Sequence, residues 1–196
     1  MTYHAARTDG TSDTLVLTFH GTGGDETQFH GAAQAFLPGA HVVSPRGDVS
    51  EMGANRFFSR TGEGVYDMED LARRTEAMAE FIAAERARTG AARVIGMGYS
   101  NGANILASVV FVRPELVDWL VLMHPLIPWV PDPQPGLAEH RVLITAGERD
   151  PICPAPMTQA LADWFAAQMA DVTVAWHPGG HEIPQSEVQA VRDFLV

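Results

Sequence analysis

Gly98-Tyr99-Ser100-Asn101-Gly102 sets a serine between two glycines where an apolar run, Arg93-Val94-Ile95-Gly96-Met97, meets the helical run Ala103 to Val110. On a strand-to-helix turn, a G-x-S-x-G serine sits in a strained backbone with its hydroxyl pointing out of the sheet. The flanking glycines let two backbones approach closely. The chemistry that suits such a serine is attack on an acyl carbon. Its hydroxyl is a weak nucleophile at its free pKa, so the rest of the chain must supply a base, an acid that orients the base, and N–H donors for the oxyanion.

In this geometry the acid follows the serine and the histidine follows the acid. Asp150 lies in Ala146-Gly147-Glu148-Arg149-Asp150-Pro151, just past the apolar run Val142 to Thr145 and 50 residues after Ser100. His181 lies in His177-Pro178-Gly179-Gly180-His181-Glu182, past the run Val172 to Trp176 and 31 residues after Asp150. Each member thus follows a different strand. Neutral His181 would take the Ser100 proton and return it to the leaving group, while Asp150 would hold the imidazole and stabilise its charged form. Glu148 is a rival for the acid, and His177 and His124 are rivals for the base. The first strong apolar run, Leu15 to Phe19, ends in His20-Gly21-Thr22-Gly23-Gly24. A glycine-rich turn there exposes backbone N–H groups, so Thr22 and Asn101 are the expected oxyanion donors, with His20 bracing the turn.

Six short apolar runs alternate with helical patterns near 27–37, 68–89, 101–112, 155–170 and 185–195. The runs are Leu15–Phe19, His41–Ser44, Arg93–Gly98, Trp119–Met123, Val142–Thr145 and Val172–Trp176; residues 3–7 suggest an edge strand. Several runs are apolar on consecutive residues, as strands buried on both faces require. The alternation predicts an α/β fold in one domain spanning 1–196, with a mostly parallel sheet and helices on both faces. The helix over 68–89 opens at Asp67 and closes at Gly90, and buries Leu71, Thr75, Met78 and Ile82; the last helix docks through Val188, Val191 and Leu195. Residues 45–67 and 124–140 read as neither strand nor helix. Both follow strands and should reach the carboxyl edge of the sheet, where open α/β folds bind ligands. Phe57, Phe58, Met123, Trp129 and Met157 are candidates to line an acyl pocket there. Phe58, Met123 and Trp129 are the ones retained, with Phe58 foremost. Arg56 is expected to form an ion pair and Cys153 to be a packed thiol.

Composition narrows the function. The formal charge of −11 disfavours nucleic acid and anionic membrane surfaces. No stretch reaches the length of a membrane span, and residues 1–7 lack the apolar core of a signal peptide. The single cysteine excludes an internal disulfide framework, and a cytoplasmic setting is expected. All 13 basic residues are arginine, which excludes lysine catalysis. No H-x-x-x-H or H-E-x-x-H pair falls on a helical pattern, so no metal site is expected. Apolar loops around a small domain make a homodimer an expectation.

Taken together, His20-Gly21-Thr22-Gly23-Gly24-Asp25-Glu26, Pro45-Arg46-Gly47, Arg56-Phe57-Phe58, Gly98 to Asn104 and Gly179-Gly180-His181 resemble the phospholipase/carboxylesterase family of α/β-hydrolases. Within it the chain is similar to the small bacterial, dienelactone-hydrolase-like esterases. The resemblance implies a cofactor-free serine hydrolase acting on small carboxylic esters, with Ser100, Asp150 and His181 as its triad. Acyl-protein thioesterases of this family carry Gln after the nucleophile, where this chain has Asn101, and a Leu where it has Thr22. Dienelactone hydrolases proper use a cysteine nucleophile. These departures, and the lack of room for a large cap domain, favour an open pocket for short- to medium-chain esters. The alternatives are a thioesterase or lysophospholipase-type acyl hydrolase and, in another class, a non-catalytic small-ligand-binding protein on the same scaffold.

Overall fold

The computed structural model describes residues 3–196. Seven strands form the main sheet: β1 (Ala5–Thr8), β2 (Thr14–Phe19), β3 (His41–Pro45), β8 (Arg93–Tyr99), β9 (Trp119–Met123), β10 (Arg141–Gly147) and β11 (Asp171–His177). Their spatial order is β1-β3-β2-β8-β9-β10-β11. β1 runs antiparallel to β3, and every other pair is parallel. The connecting helices are α1 (His30–Phe36), α2 (Met68–Thr89), α3 (Asn101–Val112), α4 (Ala155–Ala167) and α5 (Gln185–Leu195).

The consecutive apolar residues of the strands fill two cores, because successive side chains leave a strand on opposite faces. Leu15, Leu17, Phe19, Leu120, Leu122, Val142 and Ile144 join one cluster with Met78 and Ile82 of α2, Leu106 of α3 and Phe165 of α4. Val16, Ile95, Met97, Val121, Met123 and Leu143 join a second with Ala33 of α1 and Val191 and Leu195 of α5. Helices therefore cover both faces, as the alternating pattern requires.

Helix boundaries follow local chemistry. The Asp67 carboxylate caps α2 by accepting from the Asp70 N–H, and Gly90 ends it in the left-handed conformation at φ 67°. Helix α1 begins at His30 and α4 ends at Ala167, each about a turn shorter than the apolar pattern suggested. The segment over 45–67 is not irregular throughout. It folds into two small hairpins, β4 (Val49–Glu51) with β5 (Ala54–Arg56) and β6 (Arg60–Gly62) with β7 (Val65–Tyr66). Such short strands carry too few residues for a period-2 pattern to stand out. The 124–140 stretch carries one 3-10 turn, Pro135–Leu137.

The turn from β8 to α3 is crowded. A Cβ on Gly98 would lie 2.5 Å from the Gly102 carbonyl oxygen, and one on Gly102 would lie 2.3 Å from that of Phe19. Both obstacles are backbone and cannot rotate away. Gly102→Ala should therefore destabilise the fold by about 3 kcal/mol, the upper end for overpacking a tight site. A urea midpoint equal to wild type would contradict this close approach.

Candidate active site

Ser100 occupies the turn between β8 and α3 at φ 52°, ψ −116°, a region L-residues rarely adopt. The surrounding structure holds it there: the Ser100 N–H donates to the Met123 carbonyl at 2.8 Å, and the Ser100 carbonyl accepts the first helical bond from Asn104 at 3.0 Å. The hydroxyl is thereby turned toward the loop after β11.

From that loop, His181 Nε2 lies 2.9 Å from Ser100 Oγ, and His181 Nδ1 lies 2.7 Å from Asp150 Oδ2. A carboxylate only accepts, so Nδ1 carries the proton and Nε2 is free to accept from the serine hydroxyl. Asp150 is buried behind the histidine. Its Oδ1 accepts the N–H groups of Ile152 at 2.8 Å and Cys153 at 2.9 Å. Burial pushes its carboxyl pKa up, but these N–H groups together with His124 and His181 outweigh burial and hold it below the usual carboxylate value. Glu148, the rival acid, is exposed two residues away. The loop turns it outward while its backbone N–H bonds His177.

The glycine-rich turn expected to supply the oxyanion donors follows β2. The N–H of Gly21 donates to Gln28 Oε1, that of Gly23 to the Asn55 carbonyl and that of Gly24 to the Gly21 carbonyl. The N–H of Thr22 between them, and that of Asn101 at the start of α3, take no acceptor among the described residues. Both residues line the same cavity as Ser100. His20 braces the turn. Its Nε2 accepts the Gly47 N–H at 2.9 Å, which leaves Nδ1–H to donate to the Gly21 carbonyl at 2.7 Å. Arg56 adds a second brace, donating to Thr22 Oγ1 at 2.7 Å and to the Phe58 carbonyl at 3.2 Å. It is 3% exposed and sits 3.5 Å from Glu51, the ion pair expected of it. Burial lowers its pKa below the ordinary guanidinium value.

The cavity holds about 310 Å³, and its lining is more polar than the sequence suggested. The β4–β7 hairpins bring Arg56, Arg60, Glu63 and Tyr66 to its wall, opposite Leu126 and Ile152. None of the three retained pocket candidates faces it. Phe58 is fully buried in the first core, Met123 is buried in the second, and Trp129 lines a neighbouring apolar groove with Met157 and Trp164. Phe57 is likewise core. Phe57 and Phe58, between the two hairpins, are drawn into the core, while the charged residues Arg56, Arg60 and Glu63 line the cavity instead. One link joins these segments to the serine helix: the Tyr66 hydroxyl donates to the Leu126 carbonyl and accepts from Asn104 Nδ2, while Asn104 Oδ1 accepts the Leu126 N–H.

His124 is not a spare base. It is fully buried, with Nδ1 2.8 Å from Asp150 Oδ2 and Nε2 3.0 Å from Glu187 Oε2. Burial works against its charge, but the hydrogen bonds to Glu187 and Asp150 prevail and raise its pKa above 6.5. His177 is also buried, with Nδ1 accepting the Gly179 N–H at 3.1 Å and Nε2 3.5 Å from Glu187. The spacing of His124, Asp150 and His181, and of His124, His177 and Glu187, would accommodate an ion. Contacts of 2.7 to 3.0 Å within them are also met by shared protons. No sequence-local metal spacing could reveal clusters assembled from four segments. Cys153 is the packed thiol expected: buried, it donates to the His124 carbonyl at 3.1 Å, and burial pushes its pKa up.

A raised folded pKa contributes stability below the unfolded value, and that contribution is lost as pH rises through the folded value. The stability gap between wild type and His124→Asn should thus be widest below pH 6.5 and narrow above it. Urea titrations of both proteins between pH 5 and 9 measure the gap, and one that widens with pH would contradict a charged His124.

Residues 51–184 match the model of the dienelactone hydrolase family. The chain is 39% identical over 187 residues to the "Putative hydrolase MhqD" of Bacillus subtilis (strain 168), covering 94% of each chain. Its backbone matches a protein of unknown function from Agrobacterium tumefaciens at TM-score 0.93 and 55% identity, covering 98% of this chain and 95% of the other. It matches a Bacillus cereus carboxylesterase at TM-score 0.91 and 33% identity, covering 98% and 93%. No helix among the described residues is long and apolar enough to cross a membrane.

Proposed function

Because this chain belongs to the dienelactone hydrolase family and has its α/β-hydrolase fold, we propose that it hydrolyses small carboxylic esters through an acyl-enzyme on Ser100. One observation carries the reading: the unbroken line from Ser100 Oγ to His181 Nε2 at 2.9 Å and from His181 Nδ1 to Asp150 Oδ2 at 2.7 Å. His181 accepts the serine proton as Oγ attacks the acyl carbon, and the N–H groups of Thr22 and Asn101 receive the developing oxyanion. Each such donor is worth about 3 kcal/mol of barrier. His181 then protonates the departing alcohol, and water activated by the same imidazole releases the acid. Asp150 stays ionised and supports the imidazolium in both steps.

The acyl group meets Arg56, Arg60, Glu63 and Tyr66 as well as Leu126 and Ile152, in a cavity of about 310 Å³. That wall favours short or polar acyl groups over long alkyl chains, which would leave charged groups unsolvated. A p-nitrophenyl ester series from acetate to decanoate tests both points. Turnover should peak at acetate or butyrate and fall steadily beyond hexanoate. No turnover of any ester, together with no labelling of Ser100 by a fluorophosphonate, would overturn the reading. A maximum at decanoate would overturn only the acyl-length part.

A further inference from the structure

The hydrogen-bond line does not end at Asp150. We propose that His124 and Glu187 form a buried positioning pair, in which a doubly protonated His124 imidazole locks Asp150 Oδ2 in line with His181; the proposal rests on the ester-hydrolase reading above. Asp150 Oδ2 accepts from two imidazoles at once, His181 at 2.7 Å and His124 at 2.8 Å. With Oδ1 held by the Ile152 and Cys153 N–H groups, every direction in which the carboxylate could swing is occupied.

The protonation state follows from what surrounds His124. Each ring nitrogen faces a carboxylate oxygen, and a carboxylate only accepts. Glu187 is held by donors on both oxygens: the Thr145 hydroxyl donates to Oε1 at 2.5 Å and His124 lies 3.0 Å from Oε2, while His177 Nε2 stands 3.5 Å from Oε2 without a hydrogen bond. His177 Nδ1 accepts the Gly179 N–H, so its Nε2 carries the proton on the Glu187 side. Both oxygens of Glu187 therefore face an O–H or N–H group. The remaining groups near the ring are Tyr99 of β8, at 5.8 Å between ring centroids and hydrogen-bonded to the His181 carbonyl, the Cys153 thiol on the His124 carbonyl, and Glu182, which interacts with His124 through its charge. None of these offers His124 a competing acceptor or an additional cation.

This arrangement has a consequence for catalysis. A lone cation 5.0 Å from the His181 ring would oppose its protonation in the transition state. Glu187 cancels that charge, so the buried group of Asp150, His124 and Glu187 keeps the one net negative charge that His181 needs. A carboxylate behind the sheet thereby adjusts the base without touching it.

The test uses protein labelled with 15N-histidine, the His124 signals being those lost in His124→Asn, and the rate at which a fluorophosphonate phosphonylates Ser100 across pH 5 to 9. In wild type at pH 7 both His124 nitrogens should be protonated. In Glu187→Gln the amide donates to Nε2, His124 becomes neutral, and the acid limb of the labelling profile should move to higher pH by about half to one unit, since the nearer charge lost is the cation. His124→Phe should label at least ~100-fold more slowly, and His124→Asn, which keeps a donor toward Asp150, should recover part of that rate. A neutral His124 in wild type, or superimposable profiles for wild type and Glu187→Gln, overturns the proposal. The wild-type spectrum, assigned with His124→Asn, decides even if Glu187→Gln or His124→Phe fails to fold. Wild type that does not label at all instead overturns the ester-hydrolase reading, and this proposal with it.

Discussion

Ser100→Ala should lower kcat for p-nitrophenyl butyrate by about a million-fold, the loss typical when a triad nucleophile is removed and only binding and the oxyanion hole remain. KM should change little, because the hydroxyl engages the substrate only in the reaction. Folding should hardly suffer. Among the described residues the Ser100 side chain has one hydrogen-bond partner, His181 at 2.9 Å. The backbone strain at φ 52°, ψ −116° is unrelieved by alanine but is relieved by glycine. Ser100→Gly should therefore be equally inactive yet more stable than wild type by up to about 1 kcal/mol. Opposite signs for activity and stability at one residue would mark strain maintained for chemistry. An active Ser100→Ala enzyme would remove Ser100 from the mechanism.

Asp150→Asn should cost about 10⁴-fold in kcat. It should also destabilise the protein by about 3 kcal/mol, as loss of a buried partner generally does. Asp150 accepts from four donors, the N–H groups of Ile152 and Cys153 on Oδ1 and two imidazoles on Oδ2. An asparagine must place its NH₂ against one of those pairs, donor against donor. If it faces the imidazoles, His181 flips to the tautomer that cannot accept from Ser100. If it faces the loop, the 150–153 turn opens. Loss of activity without loss of stability would show that the turn tolerates the amide and that only the tautomer matters. Full activity would remove Asp150 as the acid.

Much of this molecule was legible in the chain. Strand runs that were apolar on consecutive residues required two covered faces. The spacing of Leu71, Thr75, Met78 and Ile82 between Asp67 and Gly90 marked out α2. Ser100, Asp150 and His181 each followed a separate strand in the order the chemistry needs, and the structure brings those three together. Such features are local, or depend only on order along a sheet. Glu187 carried a signal that went unread: it lies four residues before Val191 and eight before Leu195, on the buried stripe of α5. A carboxylate in that register needs a buried partner.

The sequence by itself determined the parallel sheet and the places where its chemistry-bearing loops emerge, because hydrophobic periodicity and turn residues act over a few positions. Only the tertiary structure decided what meets at those loops. Whether Phe58 or Arg56 faced the cavity depended on how two hairpins with strands of two or three residues folded over the edge, and the core claimed the aromatic. Whether His124 was a rival base or the partner of Asp150 depended on β9, β10 and α5 converging within hydrogen-bond range. Contacts among residues 26 to 63 positions apart are set by packing, and no window of sequence contains them.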